Sequence, residues 1–428
     1  EQILTDAMVI CSAGKIVYVG KNNAAYPPNA LVIDAKNQHL TSGIIDEHSH
    51  IAISKGVNEG GESVTAEVSI GDVVNPDDIN IYRQLSGGVT AAQLLHGSAN
   101  TIGGQSALIK LKWGASPSEM LITNAPKFIK CALGENVKQS NWGDFNTVRF
   151  PQTRMGVEQV FYDGFNRAIL YQKNLENFKQ GKVPALRKDL ELDILSEILA
   201  GERKITCHSY VQSEINMLMK VADSMHFTVN TFTHILEGYK VADIMKEHGV
   251  GASTFSDWWA YKFEVNDAIP YNASLMSQQG LVVAINSDDA EMGRRLNQEA
   301  AKSVKYGGMS EIEAWKMVTL NPAKLLHLDD RMGSIKVGKD ADLVLWSDNP
   351  LSITAKVNYT IIDGEIKYCA EDDVSAQERN RLERARITAL MLKSNKSSTP
   401  GKKYEKKKKQ EFHCNTLGEE GTDSENTH

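Results

Sequence analysis

Four histidines and one aspartate stand out because each lies where a buried strand is predicted to end. His48 and His50 form a His-x-His pair at the end of an apolar stretch. Side chains two residues apart in a strand point to the same face, so the two imidazoles are presented together. His208, His234 and Asp288 end three later apolar stretches. Neutral imidazole and carboxylate groups suit a borderline divalent ion such as Zn²⁺, so these residues predict a metal site.

The elements that must position these residues recur along the chain. Apolar stretches with strand character alternate with segments of helical periodicity, which predicts parallel strands joined by right-handed crossovers. Eight such stretches predict an α/β fold, a closed (β/α)₈ barrel of the TIM type with its active site at the C-terminal ends of the strands. The eight stretches are Gly43–His50, Gly88–Gly97, Ser106–Trp113, Lys127–Glu135, Lys204–Tyr210, Phe227–His234, Gly249–Phe255 and Gly280–Asp288.

Short strand-like segments flank this region on both sides. They occur in residues 1–42 and again in residues 333–370, where Asp363-Gly364 is typical of a hairpin turn. Neither segment can bury a core alone, so we expect the two to form one small β-sandwich beside a barrel domain of residues 43–332. Residues 371–428 are expected to begin as a charged helix and to end as a disordered tail.

Composition excludes several classes of protein. The net charge is −7, which argues against general nucleic-acid binding, and no apolar window is long enough to span a membrane. Five scattered cysteines suggest neither a disulfide framework nor a cysteine zinc site. The chain begins with Glu1 instead of Met, so a cytoplasmic protein and an exported one with a removed signal peptide both stay open. Homo-oligomerisation also stays open.

Two segments resemble known motifs. Ser42–His50 (SGIIDEHSH) resembles the strand-1 motif of the amidohydrolase superfamily, in particular its imidazolonepropionase-like branch, with Ser42 where proline is usual. Residues 333–343 (GSIKVGKDADL) resemble the return of that family into its β-sandwich, and the resemblance covers nearly residues 9–370. The ligand pattern that it implies falls on His48, His50, His208, His234 and Asp288.

The fourth strand leaves two alternatives. Binuclear members of the superfamily carry an anionic bridging ligand there, often a lysine carboxylated by CO₂ and sometimes a glutamate. Lys130 and Glu135 both occur in this stretch. Lys130 is favoured, because a lysine inside an apolar strand would otherwise be a costly buried cation. Glu135 needs no modification and lies nearer the end of the strand. If neither residue serves, one metal ion remains instead of two.

The resemblance also implies a reaction. The expected activity is hydrolysis of a C–N bond in an amide, a cyclic amide or a dipeptide by metal-activated water, with a small molecule or short peptide as substrate. Asp288 would accept the proton of the water and pass it to the leaving nitrogen, and His234 or His208 would polarise the carbonyl. The alternatives are a deaminase and a Xaa-Pro-type dipeptidase on the same scaffold. Mononuclear deaminases typically carry His-x-x-Glu on strand 5, whereas Val211 stands at that position here.

Overall fold

The computed structural model of the protein describes residues 3–54, 56–140, 142, 149–258 and 262–394. The strands are β1 (Ala7–Ser12), β2 (Lys15–Lys21), β3 (His39–Ser42), β4 (Ile44–Ser49), β5 (Val89–Leu94), β6 (Ile102–Gln105), β7 (Ala107–Lys110), β8 (Lys127–Ala132), β9 (Arg203–His208), β10 (Val229–Thr233), β11 (Gly251–Thr254), β12 (Val283–Ile285), β13 (Leu343–Trp346), β14 (Val357–Ile362) and β15 (Glu365–Cys369). The α-helices are α1 (Ile79–Leu85), α2 (Pro117–Met120), α3 (Arg154–Lys179), α4 (Leu190–Leu199), α5 (Gln212–Met225), α6 (Ala242–His248), α7 (Asn272–Gln278), α8 (Ala290–Gly293), α9 (Leu296–Gly307), α10 (Glu311–Lys316), α11 (Leu320–Leu325) and α12 (Ala370–Ser394). Over the same residues, no helix is both long enough and apolar enough to cross a membrane.

The mixed α/β class predicted from the sequence is confirmed. Strands β8 to β12 are neighbours in one sheet and run parallel, with helices in the connections between β8 and β12. Strands β4 and β5 form a second parallel pair. Every residue of β4, β5 and β12 is buried, which is the pattern of parallel strands covered on both faces.

The expectation of eight parallel strands closed into a ring is not met. The stretch Ser106–Trp113 contains β7, which runs antiparallel to β5, and the preceding strand β6 runs antiparallel to β8. The residues between β5 and β7 contain no crossover helix, and a parallel neighbour requires such a long connection. Among the described residues, hydrogen-bonded pairing therefore gives a three-stranded sheet β4-β5-β7 and a six-stranded sheet β12-β11-β10-β9-β8-β6.

The two sheets approach each other at β4 and β12, where the C-terminal ends of both strands meet. The backbone N–H of Ser287 donates to Asp46 Oδ1 (3.1 Å), and that of Asp288 donates to the carbonyl oxygen of His48 (3.0 Å). One large apolar core, which includes Ile44, Leu94 and Ile285, fills the space beneath this contact. The end of β4 and the segment after β12 therefore share one site.

Both ends of the chain contribute to a further sheet, of order β15-β14-β13-β3. Strand β3 pairs antiparallel with β13, so His39 lies opposite Trp346. The β1–β2 hairpin forms its own sheet and is joined to the segment before β13 by the hydrogen bond from Ile16 N to Lys339 O (2.9 Å). The pairing of β3 with β13 is what a composite terminal unit requires, while its domain boundaries stay a proposal. The tail predicted to be disordered lies, from residue 395, outside the described residues.

Candidate metal centre

Each of the five residues predicted to bind metal lies at or just beyond the C-terminal end of a strand. His48 belongs to β4 with His50 one residue beyond it, and His208 is the last residue of β9. His234 follows β10 at φ 61°, and Asp288 lies three residues after β12 at φ 53°. Non-glycine residues rarely adopt this left-handed conformation, which is concentrated at functional sites.

The carboxylate of Asp288 is the centre of the cluster. Its Oδ1 lies 3.3 Å from His48 Nε2 and 3.1 Å from His50 Nε2, while Oδ2 lies 3.7 Å from His234 Nε2. The two Nε2 atoms of the His-x-His pair are 3.2 Å apart. The ends of three strands, β4, β10 and β12, thus direct three ring nitrogens and one carboxylate into the same small volume.

The donor set fits a divalent cation. His50 Nδ1 approaches the carbonyl oxygen of Leu95 at 2.9 Å, and a carbonyl only accepts, so neutral His50 presents a lone pair at Nε2. The ring of His208 lies 5.2 Å from that of His234, centroid to centroid. Both ring nitrogens of His208 are buried and have no hydrogen-bond partner within the described residues. Buried polar atoms are rarely left in this state, and a metal ion would satisfy one of them.

The charge states also suit ligation. Burial holds the pKa values of His48, His208 and His234 well below their usual range, and it lowers that of His50. All four imidazoles are therefore neutral near pH 7. Burial acts to raise the pKa of Asp288, but the histidines around it outweigh this effect and hold the pKa well below its usual range. Neutral imidazoles and an ionised carboxylate are the forms that bind metal.

Lys130 and Glu135, the two alternatives on the fourth strand, lie in different surroundings. Lys130 lies inside β8, fully buried, and its Nζ is 3.2 Å from His48 Nε2. Glu135 follows Gly134, which turns the chain at φ 88°. Its backbone N–H donates to Glu264 Oε2 (2.9 Å), and its side chain lines a cleft of about 220 Å³. Lys130 therefore joins the cluster, and Glu135 does not.

Two buried carboxyl groups beneath the cluster escaped the sequence analysis. Asp46 accepts hydrogen bonds from Ser287 Oγ (2.5 Å) and from the backbone N–H of Ser287, and burial raises the pKa of Asp46 to about 7. Glu47 accepts a hydrogen bond from Thr233 Oγ1 (3.4 Å), and burial raises the pKa of Glu47 to about 8. The available signal was a pair of carboxyl residues inside an otherwise apolar strand, directly before the His-x-His pair.

Comparisons with known proteins agree with this geometry. A family model described as "Amidohydrolase family" matches residues 197–367. The crystal structure of an amidohydrolase from Thermotoga maritima MSB8 is 30% identical, covers 84% of this chain and 94% of its own, and superposes with a TM-score of 0.77.

Two curated relatives are also similar. Amidohydrolase tasK of Hapsidospora irregularis is 30% identical over 372 residues, which cover 80% of this chain. The chain spans only 38% of the length of that relative. Imidazolonepropionase of Picrophilus torridus is 24% identical over 378 residues, covering 78% of this chain and 86% of that protein.

Proposed function

This chain belongs to the amidohydrolase family, and on that premise we propose that it is a metal-dependent hydrolase of C–N bonds. The observation that carries the proposal is the convergence of His48, His50 and His234 on Asp288, beside a His208 whose buried ring nitrogens lack partners among the described residues. The substrate class is an amide, a cyclic amide or a short peptide.

The proposed ligands are His48, His50, His208, His234 and Asp288, and Lys130 is the candidate for a bridging position. Zn²⁺ suits this donor set best, as one ion or as two if Lys130 is carboxylated. When bound, such an ion lowers the pKa of a water molecule and polarises a carbonyl oxygen. Glu135 has no proposed role at the metal.

The residues of the chain supply the proton transfer. Asp288 is held ionised, and Oδ1 is its oxygen nearest to His48 and His50. Oδ2 is therefore the atom that we assign to accept a proton from the attacking water and to return it to the leaving nitrogen. His234, whose ring stacks on Phe255 at 4.5 Å between centroids, is the second group assigned to the substrate, at its carbonyl oxygen.

The deaminase alternative is less well supported by the site. Val211, which stands where such enzymes typically carry glutamate, lies before α5 and lines the same cleft as Glu135. A Xaa-Pro-type dipeptidase is a special case of the proposed hydrolase, distinguished by substrate alone. We also propose that the two sheets correspond to a (β/α)₈ barrel opened at β6 and β7, which the similarity to the Thermotoga maritima structure supports.

The test combines metal analysis with a panel of amides, cyclic amides, dipeptides and aminopurines. We expect about one or two divalent ions per chain and release of an amine or carboxylate product. With an active substrate in hand, Asp288→Asn keeps the size of the side chain but removes its basicity, so the rate should fall about 10²–10⁴-fold. An Asp288→Asn variant that kept both its metal and the parental rate would contradict the proton-transfer role.

A further inference from the structure

Beneath the metal cluster lies a buried polar layer that the proposed reaction does not use. It contains Glu47 from β4, Thr233 from β10, Ser253 from β11 and Asn286 just after β12, each of them no more than 1% exposed. Thr233 is the hub of the layer. Its Oγ1 lies 3.1 Å from His48 Nδ1, 3.4 Å from Glu47 Oε2 and 3.3 Å from Asn286 Nδ2.

The three contacts fix the direction of each hydrogen bond. A threonine hydroxyl has one hydrogen to donate and two lone pairs to accept with. Asn286 Nδ2 can only donate, so it occupies one lone pair. Glu47 Oε2 takes the hydrogen of the hydroxyl, either as a carboxylate oxygen or as the carbonyl oxygen of the protonated acid. The remaining lone pair faces His48 Nδ1, which must therefore carry the proton of the neutral imidazole.

A contact at the other nitrogen of the His48 ring agrees with the Nδ1–H tautomer. Lys130 Nζ lies 3.2 Å from His48 Nε2, and this nitrogen carries a hydrogen to donate both as an ammonium group and when carboxylated. With His48 Nε2 as the acceptor, the ring proton again lies on Nδ1. Both contacts thus agree with the same tautomer, in which the lone pair of Nε2 faces the space between His50 and Asp288 where a cation would lie.

We propose that Thr233, oriented by Glu47 and Asn286, is the positioning residue that holds His48 as its Nδ1–H tautomer so that Nε2 can ligate the metal. This inference rests on the proposed metal centre. We call the hydrogen-bonded chain Glu47–Thr233–His48 the relay. Glu47 sets the direction of its hydrogen bonds: without the Glu47 oxygen, the hydroxyl hydrogen of Thr233 could turn toward His48 Nδ1 and favour the tautomer with a proton on Nε2. Outer partners of this kind typically contribute about 10–100-fold to metal affinity.

The experiment measures the Zn²⁺ dissociation constant of the full chain by competition with a chromophoric chelator, together with the absorption spectrum of the Co²⁺-loaded protein. Thr233→Val keeps the shape of the side chain and removes the hydroxyl, so we expect Zn²⁺ affinity to fall about 10–100-fold and the Co²⁺ bands to shift. Thr233→Ser restores the hydroxyl and should bind within about threefold of the parent. Thr231→Val is the matched control, because Thr231 is buried on the same strand and its hydroxyl accepts only from Asn230 Nδ2 (2.8 Å) among its described contacts.

Parental affinity and spectrum in Thr233→Val would overturn the inference, as would equal losses in the valine and serine variants or in Thr231→Val. If Thr233→Val gives no folded protein, Glu47→Leu decides. Its side chain cannot accept from Thr233 Oγ1, so the hydroxyl hydrogen can turn toward His48; weaker Zn²⁺ binding supports the relay and parental binding overturns it. Comparison of the parent with His48→Ala distinguishes failure of the metal centre from failure of the relay. A parent that binds Zn²⁺ no better than His48→Ala refutes the metal centre itself. Tight binding by both the parent and Thr233→Val refutes only the relay.

Discussion

The molecule contains two buried clusters of charged and polar groups that are built on opposite principles. In the histidine cluster, three neutral imidazoles surround one carboxylate, Asp288, and the ring of His208 lies beside that of His234. In the lysine–aspartate cluster, defined by Lys110, Asp340, Asp342 and Asp363, a lysine of the chain is the central cation. Its Nζ lies 2.8 Å from Asp340 and 3.0 Å from Asp342, and it also contacts Asp363.

The difference lies in where the balancing charge comes from. Lys15 pairs with Asp340 (2.5 Å), Lys112 with Asp363 (2.8 Å), and Arg331 approaches Asp340 at 3.7 Å, so cations of the chain balance the three carboxylates of the lysine–aspartate cluster. Among the described residues, both ring nitrogens of His208 lack a hydrogen-bond partner, so the histidine cluster contains polar atoms that these residues leave unsatisfied. A cluster that is complete without a ligand stabilises the fold, whereas one that is incomplete is suited to bind.

The strongest test of this contrast removes two ligands. His48→Ala/His50→Ala should lose its divalent metal and reduce hydrolysis to background, because both Nε2 donors disappear. Metal-free stability should also fall, because the contacts of the two buried imidazoles with Thr233 and Leu95 are lost, so metal is counted per folded chain. Elemental analysis, activity and urea unfolding of the chelated protein measure the three quantities.

The control for this variant is His248→Ala, a partly buried histidine outside the cluster. Its Nδ1 pairs with Asp223 (2.8 Å), and its Nε2 accepts from the backbone N–H of Val229 (3.3 Å). We expect this variant to lose stability but to retain metal. Full metal content in the double variant would mean that the ligands lie elsewhere.

The converse test targets the other cluster. Lys110→Met leaves Asp340 and Asp342 buried without their central cation, and breaking a buried ion pair in this way typically costs about 3–5 kcal/mol. Metal content per folded chain should not change. Lys112→Met is the matched control, because its partly exposed pair with Asp363 should contribute only about 0–1 kcal/mol. Equal stability losses in the two variants would show that the central lysine, Lys110, contributes no more to stability than Lys112.

A third test separates Lys130 from Glu135. Lys130→Met should lower metal affinity about 10–100-fold or abolish a second ion, because the lysine nitrogen contacts His48. Glu135→Gln should bind metal like the parent, since Glu135 lies in the cleft near Glu264. Weakened metal binding in Glu135→Gln together with parental binding in Lys130→Met would reverse the assignment.

The sequence predicted the residues of the histidine cluster better than the strands around it. His48 and His50 were detectable because period-two spacing is local, and the apolar stretches before His208, His234 and Asp288 marked strand ends. Strand direction is not local: the stretch that contains β7 has the same composition whether it runs parallel or antiparallel to its neighbour. The place of Glu135 depended on the backbone of Gly134. The hydrogen bonds of Thr233 depended on β4 and on the residue just after β12, so neither was visible in the sequence.

The smallest expected effect concerns acid stability. Burial acts to raise the pKa values of Asp340 and Asp363, but Lys110 and the neighbouring lysines outweigh it and leave both lowered. A lowered carboxyl pKa contributes stability above the unfolded value of about 3.9, and this contribution is lost as the pH falls through the folded value. Burial raises the pKa of Asp342, so its contribution has the opposite sign and partly cancels the others.

Lys110→Met should therefore lower the free energy of unfolding and also make it depend less steeply on pH in acid. Without the central cation, Asp340 and Asp363 lose the larger part of what lowers their pKa values, so less stability remains to be lost below about pH 4. Urea unfolding of the chelated parent and variant between about pH 3 and about pH 6 measures both slopes, and their difference cancels groups that the substitution does not touch. A variant whose stability fell with acid as steeply as that of the parent would show that Lys110 does not set the charge state of these carboxylates, and the contrast with the histidine cluster would then rest on geometry alone.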